Sequence, residues 1–249
     1  MASVVFLHPI GLDANCWQWV DFARSAVRHE FPGHGSRPAL GTDFSLSELA
    51  DDLDGRLTDE PADIIGISLG GAVALHLALR HPAKVRSLVL ACTTAVEDEA
   101  VLTRRADAEL RSPEAAETTL RRWFTVEALN VNGPPVAYAR NRLMTNDRFA
   151  VAAAWRALAR HDVMDQLGSV KVPPTLVAGL RDQSVRLSEV EQIYVRLQTS
   201  RLVTIDGPHM LMLENPAEFT EAIAGHLHWI ASSQITSYGG GDEGKSSQS

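Results

Sequence analysis

Cysteine is scarce in this sequence: Cys16 and Cys92 are the only two in 249 residues. They lie far apart and form no Cys-x-x-Cys or Cys/His ligand spacing. That excludes a disulfide scaffold and a zinc site, and leaves two buried, reduced thiols as the expectation. Positive charge is also in deficit. Lys and Arg total 23 against 31 Asp and Glu, a net charge of −8. Phosphate binding needs a basic surface, so nucleic acid is not an expected partner. No apolar run reaches membrane-spanning length, so no membrane partner is expected either. Met-Ala-Ser leads straight into the apolar run Val4–Leu7 without the charged leader of a signal peptide, and the expected location is the cytoplasm. No internal repeat occurs, and only residues 239–249 have the Gly/Ser-rich composition of a solvated tail.

What is present is a rhythm. Short β-rich runs at Val4–Leu7 and residues 26–30, 64–67, 88–91, 175–178 and 202–205 alternate with segments of helical period, each run bounded by Gly, Pro or Asp. Leu46, Leu49, Leu53 and Leu57 recur at helical spacing behind Ser45. Residues 72–79 continue a helix beginning at Ser68, and residues 217–229 follow Asn215 as N-cap and Pro216 at the first helical position. Alternation of this kind specifies an α/β fold: a mostly parallel sheet of about six strands with helices on both faces. The rhythm breaks between residues 97 and 168, where no strand is evident and one helix is expected to start at Ser112-Pro113-Glu114 with Ser112 as its cap. That stretch is expected to be a helical lid. The core is then residues 1–96 and 169–232, followed by a flexible tail over 233–249. Within residues 101–165, ten arginines face eight acidic residues, about +2 here against −10 elsewhere. This fits either helix faces solvated by Arg or a lid that attracts anions.

Chemistry concentrates at Gly66-Ile67-Ser68-Leu69-Gly70. The bare Gly-x-Ser-x-Gly pattern is common by chance, but here an apolar strand drives into it and a helix leaves it, the context that gives it meaning. The turn forces the serine into a strained backbone conformation, so Gly66 and Gly70 must lack bulk where chain segments cross. Ser68 is the candidate nucleophile. The Leu69 N–H, at the helix start, is a candidate oxyanion donor.

A serine hydroxyl needs a base, and nine histidines are available. His209 follows the last strand and precedes the last helix, on the same side of the sheet as Ser68, and is the candidate base. His226 and His228 are two apart on a helix and cannot share a face as a ligand pair. His76 and His81, in or at the end of the helix after Ser68, read as structural; His29 and His34 flank an early loop, where His34 holds a turn. Asp182, just past the fifth strand, is the candidate acid that orients His209, with capping of the following turn as its alternative reading and Glu97 or Asp98 as fallback acids. The order Ser, Asp, His suits a strand-turn-helix serine site.

His8-Pro9-Ile10-Gly11 follows the first strand, where the second oxyanion donor is expected. Pro9 has no N–H, so the Ile10 N–H is the candidate, held by a proline-stiffened loop. Trp17 and Trp19 wall a substrate pocket or fill the core. Trp17 and Trp123 are the candidate substrate contacts.

Taken together, His8-Pro9-Ile10-Gly11, Pro32-Gly33-His34-Gly35, the Ser68 turn, the run from Val172 to Gly179 leading to Asp182, and His209 followed by Glu214-Asn215-Pro216 resemble the α/β-hydrolase superfamily in order. The His-Pro start, Trp123-Phe124 and His161-Asp162-Val163 resemble the branch of 3-oxoadipate enol-lactonases and related esterases. Two departures stand out. Only seven residues precede His8, which implies a shortened sheet, and Pro9 stands where glycine is usual. The resemblance implies Ser68 as nucleophile, His209 as base, Asp182 as acid, and the Ile10 and Leu69 N–H groups as the oxyanion hole.

The expected activity is hydrolysis of a small carboxylic ester or lactone through an acyl-enzyme, by a monomer or homodimer using no metal or organic cofactor. Carbon–carbon bond hydrolysis, cofactor-free lyase or oxygenase chemistry, and slow-turnover ligand reception are the alternatives on the same fold.

Overall fold

The apolar runs account for the strands because they are buried on both faces. A computed structural model describes residues 3–22, 26–112 and 114–238. Strands β1 (Val4–Leu7), β3 (Ala62–Ile67) and β5 (Pro174–Gly179) are buried at every position, and β4 (Val85–Ala91) at all but one. Strands β2 (Ala26–His29) and β6 (Arg201–Ile205) are the edges, and each is half-buried or exposed except at its last residue. The six strands run in the order β2-β1-β3-β4-β5-β6, all parallel. An all-parallel sheet needs cover on both faces, which explains the continuous Val/Ile/Leu runs.

From β1 the chain steps outward to β2, then returns across β1 to β3 and proceeds the other way. The order therefore reverses between β1 and β3, and a crevice opens there beyond the carboxyl ends of the strands. The loops carrying His8-Pro9-Ile10-Gly11 and Ser68 leave from this point.

Helix α1 (Leu46–Asp54) starts on a capping box: Ser45 Oγ accepts from the Glu48 N–H at 3.2 Å, and Glu48 Oε2 accepts from the Ser45 N–H at 2.8 Å. Its stripe of Leu46, Leu49 and Leu53 is buried, each such leucine contributing about 1.5–3 kcal/mol. Helix α2 (Leu69–Arg80) is apolar nearly all round, as suits a helix pressed between the sheet and α1.

Between β4 and β5 the described residues form the α-helices α3 (Glu99–Arg111), α4 (Ala115–Trp123), α5 (Val126–Val131), α6 (Pro134–Thr145) and α7 (Arg148–Ala159), followed by a short 3-10 turn at Met164–Ser169. Ser112 does not cap α4 as expected. It ends α3, and its Oγ accepts from the Glu114 N–H at 3.2 Å, so α4 begins only at Ala115. The alanines of α7 allow close packing on α3. The two ends of the segment are stapled together where they leave the core, through an antiparallel bridge between Val96 and Asp162 and bonds of 3.1 Å from Glu97 N to His161 O and 2.8 Å from Val163 N to Ala95 O.

Helices α8 (Leu187–Tyr194), α9 (Leu211–Glu214) and α10 (Pro216–Tyr238) complete the core. Helix α10 starts where Asn215-Pro216 requires but runs on to Tyr238, so the tail expected from 233 is helical in its first residues, and the rest of it lies outside the described residues. Among the described residues no helix is long and apolar enough to cross a membrane.

Candidate active site

Ser68 sits at φ 54° and ψ −120°, a conformation a residue with a Cβ adopts only under constraint. The constraint is visible. The Ser68 N–H donates to Ala91 O on β4 at 2.9 Å, and the Ser68 carbonyl accepts from Thr93 Oγ1 at 2.9 Å and from Ala72 N at 3.0 Å. A Cβ at Gly66 would collide with the Gly70 carbonyl, and one at Gly71 would stand 2.7 Å from Thr93 Cγ2. The glycines are therefore present because the turn is folded onto its own strand and helix.

Ser68 Oγ lies 3.0 Å from His209 Nε2, and His209 Nδ1 lies 2.7 Å from Asp182 Oδ2. A carboxylate can only accept, so Nδ1 carries the proton in the neutral ring and Nε2 is free to accept from the serine hydroxyl. Asp182 also performs its alternative role: its other oxygen, Oδ1, accepts from the Ser184 N–H at 2.7 Å and the Val185 N–H at 2.9 Å. Capping the turn and orienting the imidazole use different oxygens. His209 and Asp182 are buried while Ser68 remains partly open to solvent. Each of the three leaves the carboxyl end of a different strand, β3, β5 and β6.

Of the fallback acids, Glu97 accepts from Thr94 Oγ1 at 2.6 Å and Asp98 caps α3 through the Val101 N–H at 3.0 Å; neither bonds His209. Burial pushes the Glu97 carboxyl above its ordinary range. Cys92, Asp182 and His209 each bring one potential metal-ligand atom within 4.8 Å of the others. The donors suit a metal poorly, because the Asp182 oxygens and both His209 ring nitrogens already serve hydrogen bonds. Burial and the Asp182 charge also hold the Cys92 thiol well above its usual pKa, away from the thiolate.

Ile10 and Leu69 reach the same crevice from β1 and the start of α2. Among the described residues neither N–H is engaged by a protein acceptor. Trp123, at the end of α4, has its ring centroid 6.4 Å from that of His209, and its carbonyl accepts from the Met210 N–H at 3.1 Å. Trp17 is placed elsewhere: it is buried with its ring 4.7 Å from Phe6 and 6.2 Å from Phe219, a core position reached because its 3-10 turn folds back over β1. Trp19 packs at 5.2 Å on Tyr138.

Several other histidines are held by structural hydrogen bonds. His34 Nδ1 pairs with Pro32 O at 3.2 Å, His76 bridges Ser47 and His161, His81 meets Asp51 at 2.6 Å, and His226 lies between Thr175 and Ser87 at 2.9 Å from each.

Two features escaped the sequence reading. Thr93, which holds the Ser68 carbonyl, has no motif of its own. Arg105 of α3 and Arg122 of α4 line one cavity of about 80 Å³ with Trp155 and Thr119, and neither has a carboxylate within ion-pairing distance among the described residues. Burial and the Arg105 charge pull the Arg122 guanidinium down to about 10.

A strained serine, a buried histidine and a buried aspartate at three strand ends are the features by which the alpha/beta hydrolase family is known, and that family's profile matches residues 4–222. The chain belongs to this family. The hydrolase is 28% identical to 3-oxoadipate enol-lactonase 1 of Acinetobacter baylyi over 92% of its own length and 89% of that relative. It is 32% identical to the pimeloyl-[acyl-carrier protein] methyl ester esterase of Aromatoleum aromaticum, over 87% of its own length and 94% of that protein. The enol-lactonase of Burkholderia xenovorans LB400 superposes with a TM-score of 0.87 at 23% identity, covering 91% of each chain.

Proposed function

We propose that this hydrolase cleaves a small carboxylic ester or lactone through an acyl-enzyme on Ser68, acting in the cytoplasm as a monomer or homodimer without metal or organic cofactor. The observation that carries the reading is the continuous chain of 3.0 Å from Ser68 Oγ to His209 Nε2 and 2.7 Å from His209 Nδ1 to Asp182 Oδ2. Relatives named as an enol-lactonase and a methyl ester esterase support the choice of bond.

In this reading Ser68 Oγ attacks the carbonyl carbon while its proton passes to His209 Nε2, and Asp182 stabilises the imidazolium. The carbonyl oxygen becomes an oxyanion held by the Ile10 and Leu69 N–H groups, each contributing about 3 kcal/mol to the transition state. Collapse breaks the bond to the leaving oxygen, which takes the proton from His209. From a lactone this alcohol stays attached to the acyl group. Water then gives a proton to His209 and attacks the acyl carbon, releasing the acid and restoring Ser68. The helical segment carrying Trp123 acts as the lid over this site.

A fluorophosphonate probe tests the assignment. It should add to Ser68 in the wild type and not in Ser68→Ala, with an acyl-Ser68 adduct seen by mass spectrometry during turnover of p-nitrophenyl esters or lactones. Turnover of diketones without an acyl adduct, or tight ligand binding indifferent to Ser68→Ala, would replace the reading with carbon–carbon hydrolysis or ligand reception.

A further inference from the structure

His8 is wholly buried yet takes no part in the steps above. Its Nε2 lies 3.0 Å from the Phe31 backbone N–H, and its Nδ1 lies 2.8 Å from the carbonyl oxygen of Pro9, the next residue. The Phe31 N–H can only donate, so Nε2 must be bare and the single ring proton sits on Nδ1, where it donates to Pro9 O. The ring is clamped in that orientation by Phe31 and His34, with centroids 4.8 and 5.0 Å away. Burial and the nearby charges of His34, His29 and Arg142 hold its pKa well below the usual imidazole value, so the neutral, one-proton form persists.

The Pro9 carbonyl belongs to the same planar trans peptide unit as the Ile10 N–H. Oxygen and hydrogen point to opposite sides of that unit, so a bond that fixes one direction fixes the other. We infer that His8 is a positioning residue for the oxyanion hole: by holding Pro9 O it aims the Ile10 N–H at the substrate oxyanion. Proline, with no N–H and a locked φ, offers its carbonyl as the one polar handle on this turn. Phe31 ties the ring to the loop after β2. The aim of the donor is thereby set by a strand outside the crevice. The inference rests on the proposed acyl-enzyme reading.

Two substitutions separate aim from stability. Asparagine places its amide nitrogen close to where Nδ1 stands and can still donate to Pro9 O, while losing the bond from Phe31. Glutamine reaches the Nε2 position and can accept from Phe31, but has no donor at the Nδ1 position. His8→Asn should retain kcat within about threefold even if its Tm falls. His8→Gln should lose kcat by roughly ten- to a hundredfold with KM unchanged, because a misdirected donor forfeits much of what an oxyanion-hole N–H contributes. A trifluoromethyl ketone, whose adduct with Ser68 carries the oxyanion, should bind His8→Gln more weakly by a similar factor.

Equal kcat loss in both variants that tracks Tm, or undiminished ketone affinity in His8→Gln, would overturn the inference. Should neither variant fold, nitrogen NMR of the wild type decides: His8 must show a protonated Nδ1 and a bare Nε2, and the opposite tautomer ends the idea. Failure of the fluorophosphonate to label Ser68 in the wild type would instead remove the acyl-enzyme reading. A labelled, active wild type with an indifferent His8→Gln would remove only the role of His8.

Discussion

Gly70 of α2 meets the end of β1 so closely that a Cβ on the glycine would stand 2.7 Å from the Leu7 carbonyl carbon and 2.9 Å from the His8 oxygen. This contact presses the helix bearing the Leu69 N–H against the loop bearing the Ile10 N–H. The two proposed oxyanion donors, one after β1 and one at the start of α2, can converge only if no side chain intervenes. Gly70→Ala should therefore separate them, lowering kcat at least a hundredfold and depressing Tm, since backbone atoms rather than flexible side chains must give way. Gly168→Ala, where a Cβ would meet nothing within 4 Å, is the matched control and should leave both quantities unchanged. Steady-state kinetics and thermal melts of the two variants decide the matter.

Asp182→Asn separates the two jobs of that residue. The amide oxygen can still accept from the Ser184 and Val185 N–H groups, so the turn and the Tm should survive. The amide nitrogen facing His209 favours the wrong tautomer, with the ring proton on Nε2, and kcat should fall by roughly three to four orders of magnitude. A variant that keeps more than a tenth of the activity would show that Asp182 does not orient the base.

Stability should fall with acid well before the carboxylates protonate. Burial lowers His29, His34, His76 and His226 to about 4, and lowers His8 and His161 as well. In the unfolded chain these rings titrate near 6.5. Between those values the unfolded state binds more protons than the folded one, so stability is fully present above about pH 6.5 and drains away as pH falls toward 4. Each ring contributes at most about 1.4 kcal/mol per pH unit. Melting temperatures from pH 7 to 5 should drop steeply, and His226→Gln, far from Ser68, should flatten the slope. The Asp52 carboxyl, held below its ordinary range by Arg37, contributes only at still lower pH.

The strand pattern and the Ser68 turn were legible because they are local: a run of Val and Ile has one comfortable place, and a glycine two residues from a serine has a steric meaning nearby in the chain. Polar residues placed by distant partners were not. The sequence suggests a fourth strand from residue 88, yet β4 begins at Val85, because Arg86 and Ser87 bond Asp63, and His226 reaches Ser87 from α10. Nothing within a short window shows that Ser87 is buried and satisfied. Trp17 was ambiguous for a related reason: an aromatic beside a loop fits a pocket wall or the core equally well, and only Phe6 and Phe219 closing on it decide. His209 and Asp182 could be ranked because each follows a strand, but their distances to Ser68 exist only once β3, β5 and β6 are side by side.

Arg122 gives a test of what a buried charge without a carboxylate partner costs. Its Nε is buried without a hydrogen-bond partner and one Nη donates to Thr119 Oγ1 at 3.1 Å, while Arg105, stacked 5.4 Å over Trp155, adds a like charge nearby. A guanidinium held this way gives up hydration without gaining a carboxylate, so it weakens the folded state. Methionine follows the same path with a similar apolar stem and no charge. Arg122→Met should therefore raise stability by about 1 kcal/mol, or roughly 2–4 °C in Tm for a domain of this size. Turnover of uncharged esters should be unchanged, since Arg122 touches none of the three residues at the strand ends. A fall in Tm would mean that the bond to Thr119 and the packing of the arginine stem outweigh the burial of its charge.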